Sequence, residues 1–300
     1  MKKSVSLLLA ALMLTGALAG CGSSASTSTG AQDSSAADTG VSGAVTVISR
    51  EDGSGTRGAF IELTGVEEKT ADGKKVDNTT ADAEIANKTD VVLTSVAGNE
   101  KAIGYISLGA LNDTVKAVKV DGAEATVDNV KNGSYKLSRP FNIATKGEPT
   151  GVAKDFINFI LSKDGQAVVT DNKYIAVDDA AESFVSDGFS GKIAVGGSSS
   201  VSPVMEKLIE AYKNVNPNAT IDLQTSDSTS GMTGAMDGTF AIGMASRELK
   251  DEEAAQLTGT AIALDGIAVI VNPANTIDEL SMDQIKSIYV GDITDWGDLA

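Results

Sequence analysis

The sequence predicts an α/β fold. Two observations carry that prediction: β-branched runs a few residues long alternate with segments of helical periodicity, and turns rich in glycine and hydroxyls join one to the other. A strand at residues 45–48 (VTVI) enters a glycine-rich turn. A helix follows over about 56–63, with Ala59, Phe60 and Leu63 on its apolar face and Gly65 as its stop. A second strand at 193–195 runs into Gly196-Gly197-Ser198-Ser199-Ser200. Ser202 is the expected cap of the next helix, Pro203 fits its first turn, and Val204, Met205, Leu208, Ile209 and Tyr212 line one face. Residues 150–161 and 281–289 read as further helices, the second opened by the capping box Ser281-x-x-Gln284. Long apolar runs at 262–272 and 141–145 are strands suited to crossing between two lobes. Phe156, Phe159 and Met205 are core, and no internal repeat is visible.

The first residues read as a targeting signal. Lys2 and Lys3 precede a short apolar run at 7–14, too short to span a bilayer but suited to a secretory signal peptide over 1–20. It ends in Leu18-Ala19-Gly20-Cys21, the pattern of a bacterial lipoprotein signal, so Cys21 is the expected lipidation site. Cys21 is the one cysteine in the chain, which excludes an intrachain disulfide and a thiolate metal centre. Residues 21–43 are mostly Gly, Ser, Thr, Ala and Asp and read as a flexible tether. No later segment has the uninterrupted apolar length of a membrane span. The expected location is extracytoplasmic, on a bacterial cell membrane, with the lipid as the sole membrane contact.

Residues 44–300 suffice for one large domain or two lobes. A formal charge of −17 argues against nucleic acid and against anionic lipid headgroups as partners. It does not argue against a small anion, because local donors decide that contact and salt screens distant charge. The chain has no histidine, which removes the commonest general base and the commonest metal ligand; no metal or cofactor is expected.

The most informative stretch is Ser49-Arg50-Glu51-Asp52-Gly53-Ser54-Gly55-Thr56-Arg57, between a strand and a helix. A helix start leaves N–H groups unpaired and carries partial positive charge, so it suits an anion. Glycines let the backbone approach a ligand, Ser54 and Thr56 add hydroxyls, and Arg50 can grip two oxygens at once. Asp52 has two readings: it accepts the proton of monohydrogen phosphate, or it orients Arg50. The stretch lacks the Gly-Lys-Ser/Thr of a Walker loop, and alone it is equally an ordinary turn. Two more such junctions, Gly197-Ser198-Ser199-Ser200 and Ser226-Asp227-Ser228-Thr229-Ser230-Gly231, shift the balance. Three of them can converge at the carboxyl ends of strands, where open α/β sheets bind ligands.

Residues 49–60 (SREDGSGTRGAF), 103–109 (IGYISLG), 197–201 (GSSSV), 242–250 (IGMASRELK) and 262–272 (IALDGIAVIVN) resemble the phosphate-binding proteins of the Pst ABC transporter. The resemblance covers nearly all of 44–300. It implies a two-lobed type II periplasmic-binding-protein-like fold, each lobe a sheet flanked by helices, closing around one dehydrated phosphate. It further implies ABC permease subunits as partners and a monomer. Carried over by position, Arg50, Asp52, Ser54, Gly55 and Thr56 would bind from one lobe. Ser199, the backbone N–H of Ser200, and Ser228 would bind from the other. Where some members carry an aspartate after the strand at 242–245, this chain has Ser246-Arg247. Arg247 either enters the site or is structural, and Ser246 is a further possible contact.

The order of the pieces differs from the family pattern. There the GSSSV end comes first, and SREDGSGTR follows the stretch that here is Asp295-Trp296-Gly297-Asp298-Leu299. Circular permutation accounts for this, with the usual termini joined near 187–192; a truncated tandem array is the alternative. Permutation makes residues 146–266 one continuous lobe. It assembles the other from 44–140 plus 270–300, with hinges near 141–145 and 263–269. The expected function is capture of inorganic phosphate for an importer. Binding of another oxyanion (sulfate or molybdate) and a surface phosphate sensor stand as alternatives. A phosphatase is disfavoured because neither histidine nor a metal-spaced carboxylate cluster is present.

Overall fold

The computed structural model describes residues 41–299. The signal peptide, Cys21 and most of the expected tether lie outside the described residues. Strand β1 (Thr46–Arg50) turns through 51–54 into helix α1 (Gly55–Thr64). Ser54 caps that helix, its Oγ accepting from the Arg57 N–H, and Gly65 closes it in the left-handed conformation at φ 73°. Strands β2 (Glu67–Lys69) and β3 (Lys75–Asp77) pair antiparallel, and β4 (Glu84–Ala86) lies parallel to β1. Helix α2 (Thr89–Ala97) leads to β5 (Ala102–Ser107), which is wholly buried and also parallel to β1. Three short elements follow: β6 (Lys116–Ala117), β7 (Lys119–Val120) and α3 (Val127–Lys131).

The second stretch begins with β8 (Ser138–Thr145), then α4 (Gly151–Leu161) and α5 (Lys163–Asp171). Next come β9 (Gly191–Ser198), α6 (Ser202–Val215), β10 (Ala219–Ser226), α7 (Ser228–Asp237) and β11 (Ile242–Ala245). The chain continues through α8 (Asp251–Ala254), β12 (Thr258–Val271), β13 (Glu279–Leu280) and α9 (Met282–Val290). The principal sheet is mixed, in the order β10-β9-β11-β8-β12-β5-β1-β4, with β6 also against β12. This is the α/β class expected from the sequence.

Strand β12 organises the molecule. Its first part, to Gly266, pairs with β8, and Ile267 to Val271 pair with β5. Among the described residues the two largest apolar cores lie along it. One gathers Phe60, Tyr105, Tyr289, Trp296 and the end of β12, with Phe60 stacked on Tyr105 at 3.9 Å between ring centroids. The other gathers Phe141, Phe156, Phe159, Met205 and Tyr212 with Ile262 and Ala263. The described ends of the chain meet in the first core's sheet region: Ala44 bridges Asp295, and Val45 N–H donates to Thr294 O at 2.8 Å.

Three local readings change. Helix α6 starts at Ser202 itself, because Val201 is already helical (φ −85°, ψ −28°); Ser202 Oγ turns back to the Ser198 carbonyl instead of capping. Helix α5, directly after α4, gave no expectation in the sequence. Residues 41–43, assigned to the tether, are bound to the body: Val41 N–H to Thr276 Oγ1 and Gly43 N–H to Asp295 Oδ1.

Candidate anion-binding site

The three hydroxyl-rich junctions meet. Each follows the carboxyl end of a parallel strand (β1, β9 or β10) and opens a helix, so the N-termini of α1, α6 and α7 are drawn together. Gly55 permits a close approach: a Cβ there would overlap Ser228 Oγ and sit 2.8 Å from Ser246 Oγ. Gly197 has φ +136° and packs against the Met244 backbone, which leaves no room for a side chain.

Between these ends lies a chain of buried hydroxyls. Thr56 Oγ1 is 2.8 Å from Ser200 Oγ, and Ser198 donates to Ser246 Oγ at 2.9 Å. Ser246 Oγ is also 3.4 Å from Ser228 Oγ and 3.5 Å from Thr56 Oγ1. Thr89, the first residue of α2, places Oγ1 3.3 Å from Ser200 Oγ and 3.5 Å from Ser199 Oγ. All these residues are buried.

Arg50 enters this chain from the end of β1 and is 2% exposed. Its Nε and Nη2 grip the two Glu51 carboxylate oxygens at 2.8 Å each, and Nε also donates to Ala86 O. Nη2 reaches Ser199 Oγ at 3.1 Å. Nη1 is buried without a hydrogen-bond partner. A guanidinium is planar, so Glu51 on the Nε–Nη2 edge leaves the Nη1–Nη2 fork for Ser199 and an oxyanion beyond it. Behind Arg50, its N–H donates to Tyr105 Oη. Burial pushes the Tyr105 phenol up to about 12, against hydrogen bonds with Ser49 and Arg50 that lower it, so the ring stays neutral.

The expected residues therefore divide. Arg50, Gly55, Thr56, Ser199, Ser200, Ser228 and Ser246 come together. Ser54 is buried but spends its oxygen capping α1, and Ser200 N–H donates to Ser198 Oγ. Asp52 is a correction: its side chain is 98% exposed and pairs with Arg57 at 3.0 Å, neither facing the hydroxyls nor orienting Arg50. The turn at 51–54 sends residue 52 outward, and its neighbour Glu51 does the orienting. Arg247 resolves to the structural reading, with Nη1 and Nη2 on Glu253 at 2.7 and 2.8 Å. Burial alone would raise the Glu253 pKa, but hydrogen bonds from Arg247 and the Lys250 N–H leave it lowered.

Thr89 and Ser198 were missed. Ser198 lies inside the quoted GSSSV stretch, whereas Thr89 follows a three-residue strand with too few apolar positions to mark the junction. A second buried arginine, Arg139, pairs with Asp265 at 3.2 Å across the β8–β12 register. Burial pushes the Asp265 carboxyl up to about 6, against the opposing pull of Arg139 and Ser107. Among the described residues no group of three or more His, Cys, Asp or Glu could hold a metal ion, and no helix is long and apolar enough to cross a membrane.

Comparison with known proteins places the chain among related sequences and folds. A model of the PBP superfamily domain matches residues 25–164 and 182–300. The phosphate-binding protein PstS 2 of Streptococcus agalactiae is 50% identical over 301 residues, covering 99% of this chain and 98% of that protein. Its namesake in Streptococcus pneumoniae is 48% identical over 297 residues, covering 99% of each chain. The crystal structure of a phosphate ABC transporter's phosphate-binding protein from Streptococcus pneumoniae is 50% identical, with a TM-score of 0.69 over 86% of this chain and 100% of that one. Those sequence matches run the length of both chains, so the relatives share this order of segments.

Proposed function

The chain belongs to the family of PstS phosphate-binding proteins, and from that premise we propose that it captures inorganic phosphate between two lobes and delivers it to an ABC-type importer. One observation carries the proposal: the fork of buried Arg50, with Nη1 unpartnered, opens onto hydroxyls supplied from both sides of the molecule. Phosphate on that fork takes two charge-assisted bonds from Arg50. Ser199, Thr89, Ser200, Thr56, Ser246 and Ser228 surround it, with the N-termini of α1, α6 and α7 adding favourable dipoles. Charge-assisted hydrogen bonds contribute roughly 1.5–3 kcal/mol each, so a few of them outweigh the cost of desolvating the anion. Nothing in this role needs a nucleophile or a base.

The two cores support lobes formed by 146–266 and by 44–140 plus 270–300. Because every hydroxyl of the cluster is buried, an anion enters by separation of the lobes, with β8 and the middle of β12 as hinges. The adjacency of residues 43–45 to 294–296 supports circular permutation of the usual family order, since a backbone cut between two such segments leaves them in contact. The lipid on Cys21 would then tether the protein outside the cell membrane, beside its permease. Calorimetric titration of the anion-stripped protein tests the function: tight one-to-one binding of phosphate is expected. A folded protein that ignores phosphate, or one that hydrolyses a phosphate ester, refutes it.

A further inference from the structure

We infer that the buried Arg139–Asp265 pair, set where the two proposed lobes join, biases the empty protein towards its open form, so that closure is coupled to protonation of Asp265. This rests on the proposed capture by lobe closure and concerns its regulation, not the groups that hold the anion. Asp265 stands at a crossing: it faces Arg139 across β8 and β12, one residue before Gly266, after which β12 changes partner from β8 to β5. Its Oδ1 accepts from Ser107 Oγ at 2.9 Å and its Oδ2 from Arg139 Nη2 at 3.2 Å, and the Gly109 N–H adds a further bond. The segment after α5 covers the group from the other lobe. The Tyr174 ring lies so close to Gly109 that a Cβ there would fall inside it, and Ile175 exchanges both backbone hydrogen bonds with Leu264, next to Asp265.

Sealing this pair is costly. The Asp265 side chain is 0% exposed, and Arg139 Nε, Arg139 Nη1 and Tyr174 Oη are buried without hydrogen-bond partners. Water would satisfy all three and hydrate the carboxylate. It is close at hand: a cavity of about 590 Å³, walled by α1 on one side and residues 247–251 on the other, runs along residues 138–140. Separation of the lobes widens that cavity and brings water to the pair. In the closed form burial pushes the Asp265 carboxyl up to about 6, outweighing Arg139, Ser107 and the Gly109 N–H. Burial also works against the Arg139 guanidinium, which feels the charge of Arg50 as well, and it holds the Tyr174 phenol neutral. From α3, apolar Val130 packs beside Gly266. A carboxyl whose pKa is raised by enclosure favours the enclosing form when protonated, and that support is lost as pH rises through about 6. At neutral pH the charge on Asp265 therefore opposes closure, and a proton removes the opposition.

The test follows the Asp265 carboxyl by carbon NMR against pH, in the anion-stripped protein and in the protein saturated with phosphate. Asp265 is expected to titrate near pH 6 when saturated and near the ordinary carboxylate value of about 4 when stripped. Coupling is reciprocal, so Asp265→Asn, which keeps the shape of the protonated carboxyl, should bind phosphate about tenfold tighter than the parent at pH 7.5 and within about threefold of it at pH 5. Taking the ratio at each pH cancels the titration of phosphate itself. Small-angle scattering of the stripped protein adds an arm free of ligand: the parent should contract between about pH 7.5 and 5, and the variant should be compact at both. Where the variant does not fold, the titration and scattering of the parent carry the test. An Asp265 titration that phosphate binding leaves unmoved overturns this inference alone, as does a stripped parent with one radius of gyration at both pH values. A folded protein that ignores phosphate overturns the proposed function, and the scattering arm then decides the fate of the pair by itself.

Discussion

Two acidic neighbours of one arginine show how much a single side-chain direction decides. Glu51 and Asp52 are adjacent, yet Glu51 grips buried Arg50 while Asp52 is 98% exposed on Arg57. Arg50→Ala removes the guanidinium fork that opens onto the hydroxyl chain, and phosphate binding is expected to weaken by at least ~100-fold, roughly 3 kcal/mol. Asp52→Ala should stay within about twofold, as suits an exposed pair contributing under ~1 kcal/mol. Titration calorimetry on both variants checks the contrast; equal losses would place Asp52 in the site after all. Arg50 was legible in the sequence because strand, turn chemistry and helix cap all point to one junction. The exposure of Asp52 was not, because one residue of rotation in a turn reverses a side chain without changing the pattern. Thr89 was hidden for another reason, since its contacts to residues 199 and 200 are made across the whole fold.

At the scale of elements, caps made the helices readable: both halves of the Ser281–Gln284 box are formed at α9, and Gly65 and Gly238 end α1 and α7 in the left-handed conformation. The segment leading from α5 to β9 carries no such signal, because it is held from a distance. Buried Asp155 on α4 accepts from Ser186 Oγ, Asp187 N–H, Tyr212 Oη and Asn216 Nδ2. Desolvation raises its pKa, but these four bonds outweigh it and hold the carboxyl below its ordinary value. A depressed carboxylate stabilises the fold above its unfolded pKa, and that contribution is lost as pH falls through the folded value. Asp155→Ala is therefore expected to cost about 2–4 kcal/mol at pH 7, by stripping partners from several buried polar groups. The difference in melting temperature between parent and variant should narrow below about pH 4, around the usual carboxylate range. A gap that stays constant down to pH 3 would show that packing, and not the charge, fixes this segment.

At the scale of the molecule, the proposed function makes the site and the closure one device. Among the described residues, away from β8 and β12 and apart from the exposed Lys131–Asp179 pair, side-chain hydrogen bonds between the stretch 44–140 and the stretch 146–266 run through the site. They are Arg50–Ser199, Thr56–Ser200, Thr56–Ser246, Thr89–Ser199, Thr89–Ser200 and Thr229 to the Gly53 carbonyl. Bonds between neutral hydroxyls contribute about 0.5–1.5 kcal/mol net apiece, and on separation water replaces them. The same groups around an anion make charge-assisted bonds about twice as strong. On the proposed function phosphate would bind the closed arrangement far better than the open one, and that differential affinity would shift the population. Small-angle scattering of the anion-stripped protein should give a radius of gyration that falls when phosphate is added. Arg50→Ala should abolish the contraction at phosphate concentrations that saturate the parent, because its fork joins the anion to Ser199 across the divide. Calorimetric saturation with no change in the scattering curve would mean that the lobes are closed before the ligand arrives, with entry left to local opening at the hydroxyl cluster.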